Sequence, residues 1–102
     1  MIYVKIGNEE RKIEDAEESW INQQINGRKA AGESVCVRVR FDEGDLNFII
    51  QTPTCSSGLG GSFNPNPHAK AVLALWDRLG LNQDDFTGGN LVAFLKQLMQ
   101  LA

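Results

Sequence analysis

The stretch VCVRVRFDEGDLNFIIQT, residues 35–52, decides the architecture. Val35, Val37, Val39 and Phe41 alternate with Cys36, Arg38 and Arg40, which is the period of a strand with one buried face. Asp42, Glu43, Gly44 and Asp45 supply turn chemistry, and Leu46 to Thr52 returns. Pairing Phe41 with Leu46 also sets Val39 beside Phe48, Val37 beside Ile50 and Val35 beside Thr52, all on one apolar face. A slip of one residue places Arg40 opposite Leu46 and splits that face, so the first register is expected. The other face then carries Cys36, Arg38, Arg40, Asn47, Ile49 and Gln51.

Upstream of this hairpin, Ile2, Val4 and Ile6 alternate with Tyr3 and Lys5, a second half-buried strand. Gly7 and Asn8 suit a tight turn, and Arg11 to Ile13 reads as a short return strand. Asp15 and Glu18 have the spacing of a capping box, which predicts a helix from Ala16 to about Ala31 with Gly32 stopping it. Trp20, Ile21, Gln24, Ile25 and Ala31 form its inner face, with Glu17 and Arg28 near the two ends. Asn26 and Gly27 are a weak point where the helix could end early.

Downstream, residues 53–67 change to Pro, Thr, Ser, Gly and Asn, an unusually long loop for so small a chain. Asn66 and Pro67 then open a helix that Gly80 ends, with Ala69, Val72, Leu73, Trp76 and Leu79 at helical spacing. A last helix is expected from about Asn90 to Leu101, capped by Thr87 or Asn90. The fold class is therefore α+β: two antiparallel β-hairpins forming one sheet, one helix between them and two C-terminal helices. One globular domain over residues 1–102 is expected, with the loop at 53–67 as its irregular part.

With 102 residues, 42 % of them hydrophobic and 23 % charged, the chain can bury a core without metal or disulfide staples. The net charge of −3 and pI of about 5.0 argue against nucleic-acid binding, for which Tyr3 is the one outward aromatic on offer. Glu9, Glu10, Glu14, Asp15, Glu17 and Glu18 crowd one stretch, which reads as a solvated face holding a helix start. The N-terminal residues resemble neither a signal peptide nor a membrane anchor. Two cysteines make no disulfide framework, so a cytoplasmic protein with reduced thiols is expected.

No motif names a reaction. Cys55-Ser56-Ser57-Gly58-Leu59-Gly60-Gly61 lies after a strand and before a helix, where backbone amides of Ser56, Ser57, Gly58, Gly60 and Gly61 can cradle an anion. It has neither the closing lysine of a Walker loop nor the spacing of a dinucleotide fingerprint, and Gly61 stands where a phosphatase loop carries arginine. A flexible loop is the competing explanation. Cys55 is a candidate nucleophile with His68 as its base, against the alternative of a packed, inert cysteine. The cysteines and His68 have no metal-ligand spacing, and Asp84 and Asp85 lack the pattern of a calcium loop, so no metal and no cofactor are expected. Arg38 and Arg40 share a strand face and can hold an anion, or simply keep that face soluble.

The last helix carries Leu91, Val92, Phe94, Leu95, Leu98, Met99 and Leu101 around half its circumference, more than a surface helix needs. Two explanations compete: a core squeezed between layers, or an apolar strip kept for a partner. The favoured reading is a small binding or protein-interaction domain that self-associates through its C-terminal helices and uses the Arg38 and Arg40 surface. The alternative is a small-anion-binding domain or cysteine-dependent enzyme centred on Cys55. The balance leans away from an enzyme.

Overall fold

A computed structural model describes residues 1–43, 46–55 and 67–101. Strands β1 (Ile2–Ile6) and β2 (Glu9–Lys12) form the first hairpin, and a 3-10 turn (Ile13–Asp15) leads to α1 (Glu18–Ala30). Strands β3 (Val37–Glu43) and β4 (Leu46–Gln51) form the second hairpin, followed by α2 (Pro67–Arg78) and α3 (Gly88–Leu101). The four strands make one antiparallel sheet in the order β2-β1-β3-β4, so the two hairpins meet along β1 and β3. This is the expected α+β fold.

Parity explains which side of the sheet is buried. Ile2, Val4 and Ile6 of β1, Val37, Val39 and Phe41 of β3, and Phe48 and Ile50 of β4 all face the helices. They join Trp20, Ile21 and Ile25 of α1, Val72, Leu75 and Trp76 of α2, and Leu91, Phe94, Leu95 and Leu98 of α3 in one continuous apolar cluster. Helix α3 packs against both α1 and α2. Its wide apolar face is used up by these neighbours: of its large side chains with described positions, Met99 alone is well exposed, at 55 %. A squeezed core therefore accounts for the described part of that face. Among the described residues no helix is long and apolar enough to cross a membrane.

The β3–β4 register differs from the expected one. Phe41 pairs with Phe48, Val39 with Ile50 and Glu43 with Leu46, a shift of two residues from the Phe41–Leu46 pairing. A two-residue shift keeps every side chain on its own face, so the hydrophobic pattern does not distinguish the two registers. The observed one extends the ladder to Glu43 and Leu46, and it stacks Phe41 on Phe48 with ring centroids 4.1 Å apart.

Helix α1 also starts later than expected. Asp15 belongs to the 3-10 turn, Glu17 occupies the cap position without a side-chain cap bond, and Glu18 is the first helical residue. Tertiary contact does the anchoring instead: the Trp20 indole N–H donates to Glu9 Oε2 at 2.8 Å, tying the first turn of α1 to β2. The helix passes through Gly27 unbroken, and Ala31 lies exposed beyond its end. At α3 the cap is reciprocal. The Thr87 N–H donates to Asn90 Oδ1 at 2.8 Å, and the Asn90 N–H donates to Thr87 Oγ1 at 3.3 Å. The same helix start lies against α1: the Gly88 N–H donates to Asn26 Oδ1 at 3.1 Å, and a Cβ at Gly88 would lie 3.1 Å from Asn22 Cα.

Candidate functional site

Two expected features separate when the fold is assembled. Cys36 and Cys55 are not reduced thiols; they are joined as a disulfide, with Cα atoms 4.5 Å apart. The reason is a local turn. After β4 the chain turns at Thr52, whose carbonyl accepts from the Cys55 N–H at 3.2 Å, and Cys55 comes back against the residue preceding β3. Cys55 is buried, at 4 % exposure, and in the bridge it has no thiolate to offer as a nucleophile. His68 is the second residue of α2. Ser56, Ser57, Gly58, Gly60 and Gly61 lie outside the described residues, so the glycine-loop cradle does too.

Arg38 and Arg40 do share the sheet face away from the helices, but their surroundings differ. Arg40 is neutralised, with its Nη2 3.2 Å from Glu10 Oε1 and its Nη1 3.8 Å from Asp42 Oδ2. Its guanidinium also lies 4.1 Å from the centre of the Tyr3 ring. Arg38 instead donates from Nε to Gln51 Oε1 at 2.9 Å, a neutral acceptor that orients the guanidinium without neutralising it.

Around Arg38 a cationic recess takes shape. An open depression of about 370 Å³ is lined by Lys5, Gly7, Asn8, Arg28, Ser34, Cys36 and Arg38. No carboxylate lines it, and among the described residues none of Lys5, Arg28 and Arg38 makes an ion pair. Each cation arrives from a different element. Lys5 and Arg38 are direct neighbours across the β1–β3 ladder, a like-charge pair that costs stability unless an anion offsets it. Glu10 lies on the other side of Lys5 in the sheet, but its carboxylate is taken by Arg40. Arg28 comes from the last turns of α1, where its Nη2 donates to Gln24 Oε1 at 3.2 Å, again a neutral amide.

Gly7 makes the approach of Arg28 feasible. The residue turns at φ +63°, and a Cβ there would lie 2.7 Å from Arg28 Nη1, so any side chain would push the guanidinium away. The Gly7 N–H is already committed to the Cys36 carbonyl at 3.0 Å, which fastens the β1–β2 turn to the residue before β3. Three cations, two of them oriented by glutamine amides, with Asn8 and Ser34 beside them, can bind a small dianion or a pair of carboxylates through charge-assisted hydrogen bonds. Among the described residues no group of histidine, cysteine and carboxylate side chains could hold a metal ion.

Lys5 and Arg28 were not among the residues expected to bind a ligand. The missing signal was the adjacency of β1 and β3, which periodicity within each hairpin does not reveal.

Next to the recess, Glu9 is held below the usual carboxylate range. The main cause is the Trp20 indole hydrogen bond, followed by the Arg11 hydrogen bond and the positive charges of Arg11 and Arg28. A carboxyl depressed in the folded state adds stability above its ordinary pKa, and that stability is lost as pH falls through the depressed value. Trp20→Phe is expected to return the Glu9 titration toward the ordinary carboxylate range, followed by carbon-13 shifts of its carboxyl. An unchanged Glu9 midpoint would contradict the assigned cause.

No family model, curated protein or solved structure matches the chain.

Proposed function

We propose that the chain is a small binding domain for acidic ligands, with Lys5, Arg28 and Arg38 as its contact residues. The observation behind this reading is the convergence of three cations on one recess, none of them in an ion pair among the described residues and with no described carboxylate in the lining, in a chain of net charge −3. Random surface charge in an acidic protein tends to pair, as Arg11, Arg40 and Lys96 do here with Glu9, Glu10 and Glu18. Anchoring two guanidiniums on the glutamine amides of Gln24 and Gln51 limits the ordering cost of binding while keeping both charges available. The ligand class is a phosphate, a dicarboxylate or an acidic side-chain pair on a partner protein. The reading is one of recognition and assigns no reaction to the recess.

Leu91, Val92, Phe94, Leu95 and Leu98 of α3 are buried within the chain, so self-association through the C-terminal helices would use other residues, such as the exposed Met99. Compartment is tied to the bridge: a Cys36–Cys55 disulfide that persists favours an oxidising environment over the cytoplasm.

Calorimetric titration with inorganic phosphate and with succinate tests the reading. Arg38→Gln and Lys5→Ser together are expected to weaken binding by about tenfold or more, since charge-assisted bonds contribute roughly 1.5–3 kcal/mol each. Lys96→Gln, which removes a cation paired with Glu18 and outside the recess, is expected to change affinity less than about twofold by comparison. Equal losses in the two variants would overturn the assignment.

A further inference from the structure

Cys36 lines the same recess as the three cations, and its sulfur is bonded to Cys55. We infer that the recess admits an anionic thiol, which exchanges with the disulfide by attacking Cys36; the inference rests on the anion-binding reading above.

The two sulfurs are not equivalent to an incoming reagent. Cys36 is half-buried and faces a depression open to solvent, whereas Cys55 is buried and is not part of the lining. Exchange proceeds through a thiolate, and access decides which sulfur it reaches. The incoming thiolate sulfur forms a bond to the Cys36 sulfur while the Cys36–Cys55 bond breaks. Its electron pair leaves on Cys55, which takes a proton from water. The incoming sulfur is oxidised to the disulfide level and the Cys55 sulfur is reduced, so no other oxidant is needed. Lys5, Arg28 and Arg38 raise the local concentration of a thiol that carries carboxylates, and they favour the thiolate form at the point of attack. Opening the bridge would release the segment after β4 from the residue before β3, at a sequence separation of 19. The fold thereby couples ligand chemistry to a structural link.

The experiment uses the oxidised wild-type chain and four thiols: mercaptosuccinate, 3-mercaptopropionate, 2-mercaptoethanol and cysteamine. Exchange rates are measured per thiolate, and the adduct is located by peptide mass. Mercaptosuccinate is expected to react about tenfold faster than 2-mercaptoethanol, within the range known for electrostatic steering, and cysteamine more slowly than both. The adduct is expected on Cys36, and the preference is expected to fade in 0.5 M salt, on the order of a few-ångström screening length. The Arg38→Gln variant should show the same loss at low salt. Rates that ignore thiol charge, an adduct on Cys55, or two free thiols in the purified protein would each overturn the inference. Phosphate titration of the same sample separates the two ideas. Binding with indifferent exchange removes the thiol chemistry and leaves the anion site, whereas loss of both removes both.

Discussion

Phe94→Ala is expected to lower the unfolding free energy by about 3–5 kcal/mol. Phe94 has 0 % exposure and sits in α3 where that helix faces both α1 and α2. Its ring meets the Trp76 indole edge to face, with centroids 5.0 Å apart. Truncation removes the transfer energy of the ring and leaves a cavity beside Trp76. A domain of this size is stable by roughly 5–15 kcal/mol, so the loss is a large share of the total. Urea titration measures it: the midpoint should fall with little change in the slope. A loss below about 1 kcal/mol would mean that α3 does not close the core and that its apolar face serves something else.

The second large effect is loss of the bridge. Replacing Cys36 and Cys55 together by serine is expected to cost about 3 kcal/mol, the chain-entropy value for a closed loop of this length. The pair fastens the start of β3 to the chain just beyond β4, and Thr52 strengthens the same corner, its hydroxyl accepting from the Val37 N–H at 3.1 Å. Reductant should destabilise the wild type by a similar amount and leave the double variant unchanged. Equal stability of oxidised and reduced wild type would show that the corner is held by hydrogen bonds and packing alone.

The architecture was readable because parity and period are local properties. The alternation from Val35 to Phe41 and from Leu46 to Thr52 marked two strands with one buried face, which run from Val37 to Glu43 and from Leu46 to Gln51, and Pro67 and Gly80 bracket α2 as their backbone chemistry dictates. Errors appeared where two local solutions were equivalent. A two-residue shift of the β3–β4 register preserves every face, and a helix start at Ala16 or at Glu18 differs by less than one turn. In the second case the Glu9–Trp20 bond, a contact across 11 residues, favours the later start.

The site was less legible for a related reason. Arg38 was visible as an outward strand arginine, but its importance depends on Lys5 across the β1–β3 ladder and on Arg28 reaching over Gly7. Both juxtapositions are products of how the hairpins and α1 assemble. Arg40 looked equivalent to Arg38 along the strand and is not, because Glu10 and Asp42 neutralise it. The disulfide was hidden by the same non-locality: the turn after Thr52, not the spacing of Cys36 and Cys55, brings the sulfurs together.

The central claim is that Lys5, Arg28 and Arg38 form one anion site. Its most direct test is a nitrogen-15 and side-chain NMR titration with inorganic phosphate at low ionic strength. The account predicts saturable shifts of the Arg28 and Arg38 Nε–H signals and of the Gly7, Asn8 and Ser34 amides, all with one dissociation constant. Shifts scattered over exposed cations such as Lys12, Lys70 and Lys96, without saturation at the recess, would contradict it.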